Sequence, residues 1–227
     1  YLGMTMRSLP FLLIAGFVLV IAGGADADKE PEWTFKIEDR VDTIDISGDG
    51  KYVVAGSDDN KLYLFGNDGV AIWNYSADSD VNAVAISTSG EYIVAGTKHS
   101  KLYLFSRNSS IPLWNHTFNA YNRPVTHVDI SADGQHIIAA SKGIYFFHRN
   151  NSDYLYWHQT AGNQEVRDIA ISDDGKYVAI VSGQDKSSEI VFFDLGNITE
   201  TGHSLWVWSF RNVGYEHVET IDFTSAS

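Results

Sequence analysis

The sequence contains no cysteine among its 227 residues and only four prolines. Without thiols there are no disulfide bonds, thiolate zinc sites or cysteine nucleophiles. Basic side chains are also few, because 16 Lys and Arg stand against 29 Asp and Glu, for a net charge of −13. Nucleic-acid binding needs a basic face, so no nucleic-acid partner is expected. Phosphate loops, Gly-x-Ser-x-Gly motifs and paired catalytic acids are absent too, which favours a protein that is not an enzyme.

What the sequence does contain is one segment that recurs. Copies of VDTIDISGDGKYVVAGS begin at valines 41, 81, 125, 166 and 218, with spacings of 40, 44, 41 and 52 residues. Each copy has short apolar runs separated by turn pairs such as Asp133-Gly134, and tryptophan recurs in the fourth run (Trp73, Trp114, Trp157 and Trp208). A period of about 40 residues made of strands and turns is typical of a β-propeller blade.

Two stretches carry a closer resemblance: LYLFGNDGVAIW at 62–73 and LYLFSRNSSIPLW at 102–114. They resemble quinoprotein-like (PQQ-like) and WD40-like propeller repeats, although no Trp-Asp pair closes the third strand. The resemblance implies an all-β propeller of four-stranded antiparallel blades. We place the blades at about 41–77, 81–119, 125–161 and 166–211, with a partial blade from 218.

The propeller ring is expected to be incomplete. Trp33-Thr34-Phe35 matches the fourth strand of a blade, as in Trp208-Ser209-Phe210, but no first three strands precede it. The copy that starts at Val218 stops after its first strand, so these two ends do not complete one blade. The pattern therefore predicts an open ring in this chain, with further blades after Ser227.

Residues 1–32 differ from the rest. Arg7 precedes an apolar run from Leu9 to Ala25, and acidic residues follow. This order is typical of a secretory signal peptide with a small-residue cleavage site, and the alternative is an uncleaved N-terminal membrane anchor. Either way, residues 33–227 are predicted to be exported, as an extracellular or cell-surface domain.

Glycosylation is predicted from sequons. The chain has five Asn-x-Ser/Thr sites on the fourth strands or in the loops before them, at Asn74, Asn108, Asn115, Asn150 and Asn197. Polar loops gather such residues by chance, but the predicted export favours N-glycans.

Acidic residues suggest two further roles. Asp58, Asp59, Asp78 and Asp80 fall in loops of one propeller face and are weak candidates for Ca²⁺, although their spacing matches no calcium loop. In the innermost strand, Asp45, Asp129 and Asp222 alternate with Ala85 and Ala170. We interpret these carboxylates as acceptors for backbone amides of the neighbouring strand rather than as acids that line a channel.

A binding surface is predicted at the rim of the central channel, on the face without sequons. The second residue of each innermost strand varies while its apolar neighbours recur, as expected of binding residues on a rigid scaffold. The candidates, with two residues of adjoining loops, are Asp42, Asn82, Thr126, Arg167, Glu219, Asp80 and Arg123.

These features predict a non-enzymatic, exported propeller that binds a protein or a surface glycan, with no cofactor. It contacts the membrane through residues 1–32 if they are not cleaved. The quinoprotein resemblance implies an alternative, a dehydrogenase that holds PQQ and calcium. A second alternative is an envelope-assembly scaffold that resembles the outer-membrane assembly lipoprotein, whose lipidated cysteine this sequence lacks.

Overall fold

The computed structural model describes residues 30–118, 123–157, 165–184, 187–195 and 206–211. Contacts within the chain divide it into two units, residues 1–34 and 35–227. Nearly all of the predicted signal or anchor segment lies outside the described residues, and so do Asn197, Glu219 and Asp222. No helix in the described part of the chain is long and apolar enough to cross a membrane.

The described residues of unit 35–227 form four separate antiparallel sheets of four strands each, which confirms the predicted all-β propeller fold. In every sheet the strands lie side by side in chain order, so each sheet is one blade. Blade 1 contains β1 (Val41–Ile46), β2 (Tyr52–Ser57), β3 (Lys61–Gly66) and β4 (Ala71–Ser76). Blade 2 contains β5 (Val81–Ile86), β6 (Tyr92–Thr97), β7 (Lys101–Ser106) and β8 (Trp114–Thr117). Blade 3 contains β9 (His127–Ile130), β10 (His136–Ala140), β11 (Ile144–His148) and β12 (Asn151–Trp157). Blade 4 contains β13 (Glu165–Ile171), β14 (Tyr177–Gln184), β15 (Ser187–Asp194) and β16 (Trp206–Arg211).

The turn between the first two strands is fixed by side-chain hydrogen bonds and a glycine. In blade 1, Ser47 Oγ donates to Asp49 Oδ1 at 2.8 Å, and the amide of Tyr52 donates to Ser47 Oγ at 3.1 Å. Gly50 closes the turn at φ +68°, in the left-handed region that glycine enters without steric cost. The same serine and glycine positions recur in the other three blades, so one turn chemistry sets the register of all four.

Most residues of the two middle strands are buried in blades 1, 2 and 3, because neighbouring blades pack face to face. Val54, Leu62 and Leu64 of blade 1 form one apolar cluster with Ile93 and Phe105 of blade 2. Equivalent clusters join blades 2 and 3, and blades 3 and 4. This burial explains why these strands read as nearly continuous apolar runs rather than as alternating ones.

In blades 1 and 2 the recurring tryptophan connects the blade to the one that follows it. Trp73 Nε1 of blade 1 donates to the carbonyl oxygen of Arg107 in blade 2 at 2.6 Å. The Arg107 guanidinium in turn lies 4.5 Å from the ring centroid of Tyr52 in blade 1, a cation–π contact. Trp114, Arg149 and Tyr92 repeat the arrangement between blades 2 and 3.

A half-buried carboxylate joins blade 1 to blade 2, and another joins blade 3 to blade 4. Asp45 Oδ2 accepts a hydrogen bond from the amide of Ile86 in the next blade at 2.8 Å, and Asp129 Oδ2 accepts from Ile171 at 2.7 Å. Desolvation by burial raises the pKa of Asp45, and the amides of Ile86 and Ile46 oppose that shift. For these two aspartates the interpretation as acceptors for backbone amides is confirmed.

Blade 4 does not cover the outward face of blade 1, because Val41, Ile44 and Ile46 are exposed. Phe35 packs on this face, with ring centroids 4.8 Å from Phe65. Tyr75 packs on Phe105 of blade 2 in the same way, at 5.0 Å. Phe35 thus stands where a fourth-strand aromatic of a preceding blade would stand, although it belongs to none of the four sheets.

Candidate binding surface at the entry rim

The entry rim is the end of the propeller at which the chain enters each innermost strand. Here we define it by Asp42, Asn82, Thr126 and Arg167 together with Asp80 and Arg123 of the adjoining loops. The innermost strands β1, β5, β9 and β13 contact one another in this order. Residues at the second position of adjacent blades therefore lie on the same face of the propeller, as the repeat predicts. Glu219 lies outside the described residues.

The rim residues of blade 1 belong to a network centred on Arg40. Its Nε lies 2.8 Å from Asp42 Oδ1 and 3.0 Å from Asp58 Oδ2, and its Nη2 donates to Asp42 Oδ2 at 2.9 Å. The hydrogen bond with Asp58 and the charge of Asp42 raise the pKa of the Arg40 guanidinium. Asp42 and Asp58 thus share one arginine, a residue that the sequence patterns did not single out.

Blade 2 has an ion pair at the same repeat positions, with the acidic and basic residues exchanged. Asp80 of blade 2 replaces Arg40, and Lys98 replaces Asp58, with Lys98 Nζ 2.8 Å from Asp80 Oδ2. The hydrogen bond from Lys98 lowers the pKa of Asp80. The backbone bond is the same in both blades: the amide of Asp58 donates to the carbonyl of Arg40, and that of Lys98 to Asp80. The acidic and basic residues are therefore exchanged between blades 1 and 2, while the backbone hydrogen bond between their positions stays the same.

Two further rim residues, Asn82 and Arg167, donate hydrogen bonds to backbone carbonyl oxygens. Asn82 Nδ2 donates to the carbonyl of Val125 in blade 3 at 3.0 Å, while its Oδ1 is buried without a partner. Arg167 Nε donates to the carbonyl of Gly183 at 3.3 Å. Thr126 and Arg123 are exposed. Blades 3 and 4 therefore present a rim of a different character from the ion-paired rim of blades 1 and 2.

The calcium candidates are occupied by protein cations and donors. Asp59 accepts from the Tyr63 hydroxyl at 2.5 Å and lies 3.5 Å from Lys61 Nζ. Desolvation and this hydrogen bond raise the pKa of Tyr63 to about 12. Asp78 accepts from the Tyr103 hydroxyl at 3.1 Å and lies 3.3 Å from Lys101 Nζ. No group of three or more His, Asp or Glu side chains among the described residues is arranged to hold a metal ion.

A groove opens on the outer edge, away from the entry rim. It has a volume of about 620 Å³ and is lined by Ile72 and Trp73 of β4, by Tyr52, and by the loop 107–111 of blade 2. Sequon residue Asn108 belongs to this lining. Asn74, Asn108, Asn115 and Asn150 are all exposed, so each of the four described sequons is open to solvent.

Solved structures with similar folds identify the class of this protein. The chain superposes on the β-propeller domain of Cps50 (Swd1) from Myceliophteria thermophila, with a TM-score of 0.63, 9% identity, and coverage of 77% of this chain and 58% of that chain. It also superposes on Kuenenia stuttgartiensis hydrazine synthase, with a TM-score of 0.63, 12% identity, and coverage of 81% and 53%. At these identities the likeness shows the fold alone, and the chain spans little more than half the length of either structure. The protein is a β-propeller.

Its family is shown by a second comparison. A model described as a family of unknown function (DUF5711) matches residues 27–227, so the chain belongs to that family. No curated protein matches this sequence. Membership of the quinoprotein-like repeats stays a prediction from the sequence.

Proposed function

We propose that the protein is an exported, non-enzymatic propeller that binds a protein or a surface glycan through the entry rim. The observation that carries this proposal is the reversed ion pair. Two blades share one backbone frame but place Arg40 and Asp58 in one order and Asp80 and Lys98 in the other. Surface ion pairs contribute little to stability, so stability alone does not account for a reversed arrangement. A charge pattern read by a partner does account for it.

Export and glycosylation belong to the same proposal. The apolar run before Ala25 and the sequons on the opposite face and outer edge support it. Glycans there would leave the entry rim open for a macromolecular partner. The partner we propose is a macromolecule whose surface charges are complementary to the exchanged ion pairs of blades 1 and 2.

The test is partner capture from an envelope extract by variants with altered rim charge. Asp42→Arg, Asp80→Arg and Arg167→Glu together should reduce capture at least tenfold. Because Asp42 and Asp80 are ion-paired, a second variant, Asp80→Lys with Lys98→Asp, keeps a pair but reverses its sense. It should also lose capture, with an unchanged melting temperature.

The matched control changes charge at the opposite end of the strands. Glu91→Lys with Asp173→Lys alters two exposed carboxylates beside the first turns of blades 2 and 4 and should leave capture intact. Undiminished capture by both rim variants would reject the entry rim as the binding site. The sequence insertions that lengthen the blade 4 repeat to 52 residues, 183–188 and 196–204, would then be tested next.

A further inference from the structure

The fourth strands of blades 1 and 2, β4 and β8, are the outer edges of their sheets and carry little of the usual protection of an edge; β4 has one bulge, where its register against β3 shifts between Leu64 and Phe65. β4 reads AIWNYS and β8 reads WNHT, with no Lys, Arg, Asp, Glu or Pro in either. Each pairs on one side only, with β3 or β7. An unprotected edge strand presents unpaired backbone groups to other chains and promotes edge-to-edge association, which proteins normally prevent with charges, prolines or bulges.

Both edges carry a sequon at the same register. Asn74 pairs with Tyr63 across β3 and β4, and Asn115 pairs with the equivalent Tyr103 across β7 and β8. Side chains alternate along both strands, with Trp73 and Trp114 directed at the next blade and both asparagines exposed. The hydroxyl residues of the sequons, Ser76 and Thr117, are exposed as well.

This exposure does not depend on the uncovered face of blade 1. Blade 2 has a packed neighbour on each side, yet Asn115 and Thr117 of its outer strand remain exposed. Exposed aliphatic residues lie two positions before each asparagine: Ile72 is 45% exposed and Leu113 is 52% exposed. Two residues along a strand span about 7 Å, which is within reach of the first sugar of a glycan.

We propose that Asn74 and Asn115 are N-glycosylated, and that these two glycans shield the edge strands β4 and β8 from pairing with other molecules. The inference rests on the proposed export. In the reaction, the asparagine side-chain nitrogen bonds to the anomeric carbon of a lipid-pyrophosphate-linked oligosaccharide. The bond from that carbon to the phosphate oxygen breaks, and lipid pyrophosphate and the amide proton leave. Each glycan then covers the nearby aliphatic side chain and keeps a second strand from approaching to the pairing distance of about 4.8 Å.

The experiment expresses the full chain in a host with an oligosaccharyltransferase, once with its own residues 1–32 and once with a foreign signal peptide. Glycopeptide mass spectrometry measures occupancy at each sequon. The variant Ser76→Ala with Thr117→Ala removes both sites but keeps the asparagines, and Ser76→Thr is the matched control that keeps its site. We expect both sites to be occupied, and the Ala variant to form at least fivefold more oligomer at equal concentration by light scattering.

The outcomes separate this inference from the proposed function. Export with the foreign signal peptide, but with Asn74 and Asn115 empty, overturns the glycosylation. Full occupancy with no extra oligomer in the Ala variant or after enzymatic deglycosylation overturns the shielding role. Secretion and glycosylation with the foreign signal alone leave the two sites supported and reject the proposed export by residues 1–32.

Discussion

The first strands of blades 1 and 2, VDTIDI and VNAVAI, have apolar residues at the same first, fourth and sixth positions. These residues are exposed in blade 1 and buried in blade 2. Ile46 of blade 1 is 57% exposed, whereas the equivalent Ile86 of blade 2 is 6% exposed. Ile44 and Val84 differ in the same way, at 68% and 7%. The apolar first, fourth and sixth positions are equivalent in the two strands, so the difference in burial at these positions comes from the preceding blade. Matched substitutions at equivalent positions therefore measure what a neighbouring blade contributes.

The largest difference is expected between Ile86→Ala and Ile46→Ala. Truncation of Ile86 leaves a cavity between blades 1 and 2 and should lower the free energy of unfolding by about 3 kcal/mol. Truncation of the exposed Ile46 should cost less than about 1 kcal/mol. Urea denaturation of both variants checks this. Equal losses would mean that another surface covers Ile46 in solution.

A smaller difference is expected between two glycines of the first turn. Gly50 and Gly90 both have φ +68°, so alanine strains each turn by about 1 kcal/mol. A Cβ at Gly90 would lie 2.4 Å from Cδ2 of Tyr52 in blade 1, whereas nothing lies within 4 Å of a Cβ at Gly50. Displacement of that ring should make Gly90→Ala more destabilising than Gly50→Ala by about 1–2 kcal/mol. Thermal melts of the pair measure the difference, and equal melting temperatures would contradict the packing of Tyr52 on this turn.

The smallest difference concerns the acid stability of the same turns. Hydrogen bonds from Lys51 and Ser47 lower the pKa of Asp49 to about 2, while blade 2 has Ser89 at this place. A depressed carboxyl pKa adds stability above the unfolded value near 4, and that stability is lost as the pH falls towards 2. Asp49→Asn should therefore flatten the decline in stability between pH 4 and pH 2, and Ser89→Ala should not. An unchanged acid profile for Asp49→Asn would show that this turn is not ordered by its carboxylate.

The fold was predictable because the same residue types mark the turns and strands in each copy of the repeat. Asp133-Gly134 predicted a turn by residue type alone, and Gly134 has the positive φ of such a turn. The recurring Trp114 predicted a packing contact between blades, and its indole contacts Arg149 of the next blade. The role of Arg107 was less accessible, since its backbone carbonyl, rather than its side chain, accepts the bond from Trp73. A backbone acceptor leaves no mark in the sequence.

The entry rim was predictable only in part. Variation at Asp42 and Asn82 was enough to predict that these residues share one end of the strands, because the register of a repeat fixes which residues share a face; that partners bind there stays a prediction. The pairing with Arg40 and Lys98 was missed, since these residues belong to preceding or following loops and differ in charge between blades. An alignment of the blades by charge would have shown the exchange, because Arg40 and Asp80 occupy equivalent places, as do Asp58 and Lys98.

The alternation of aspartate and alanine on the innermost strands determines which rearrangements of the blades would keep the hydrogen bonds between them. The Asp45 carboxylate accepts hydrogen bonds from the amides of Ile46 in the same strand and Ile86 in blade 2. The side chain of Ala85, at the equivalent position of blade 2, has no acceptor for an amide of blade 3. Deletion of blade 2 would bring Asp45 up against Asp129, and deletion of blade 3 would leave the Ile171 amide without its carboxylate. Removal of two adjacent blades would keep the order of aspartate and alanine, whereas removal of one blade would break it. Engineered arrays of these blades should therefore be assembled from pairs.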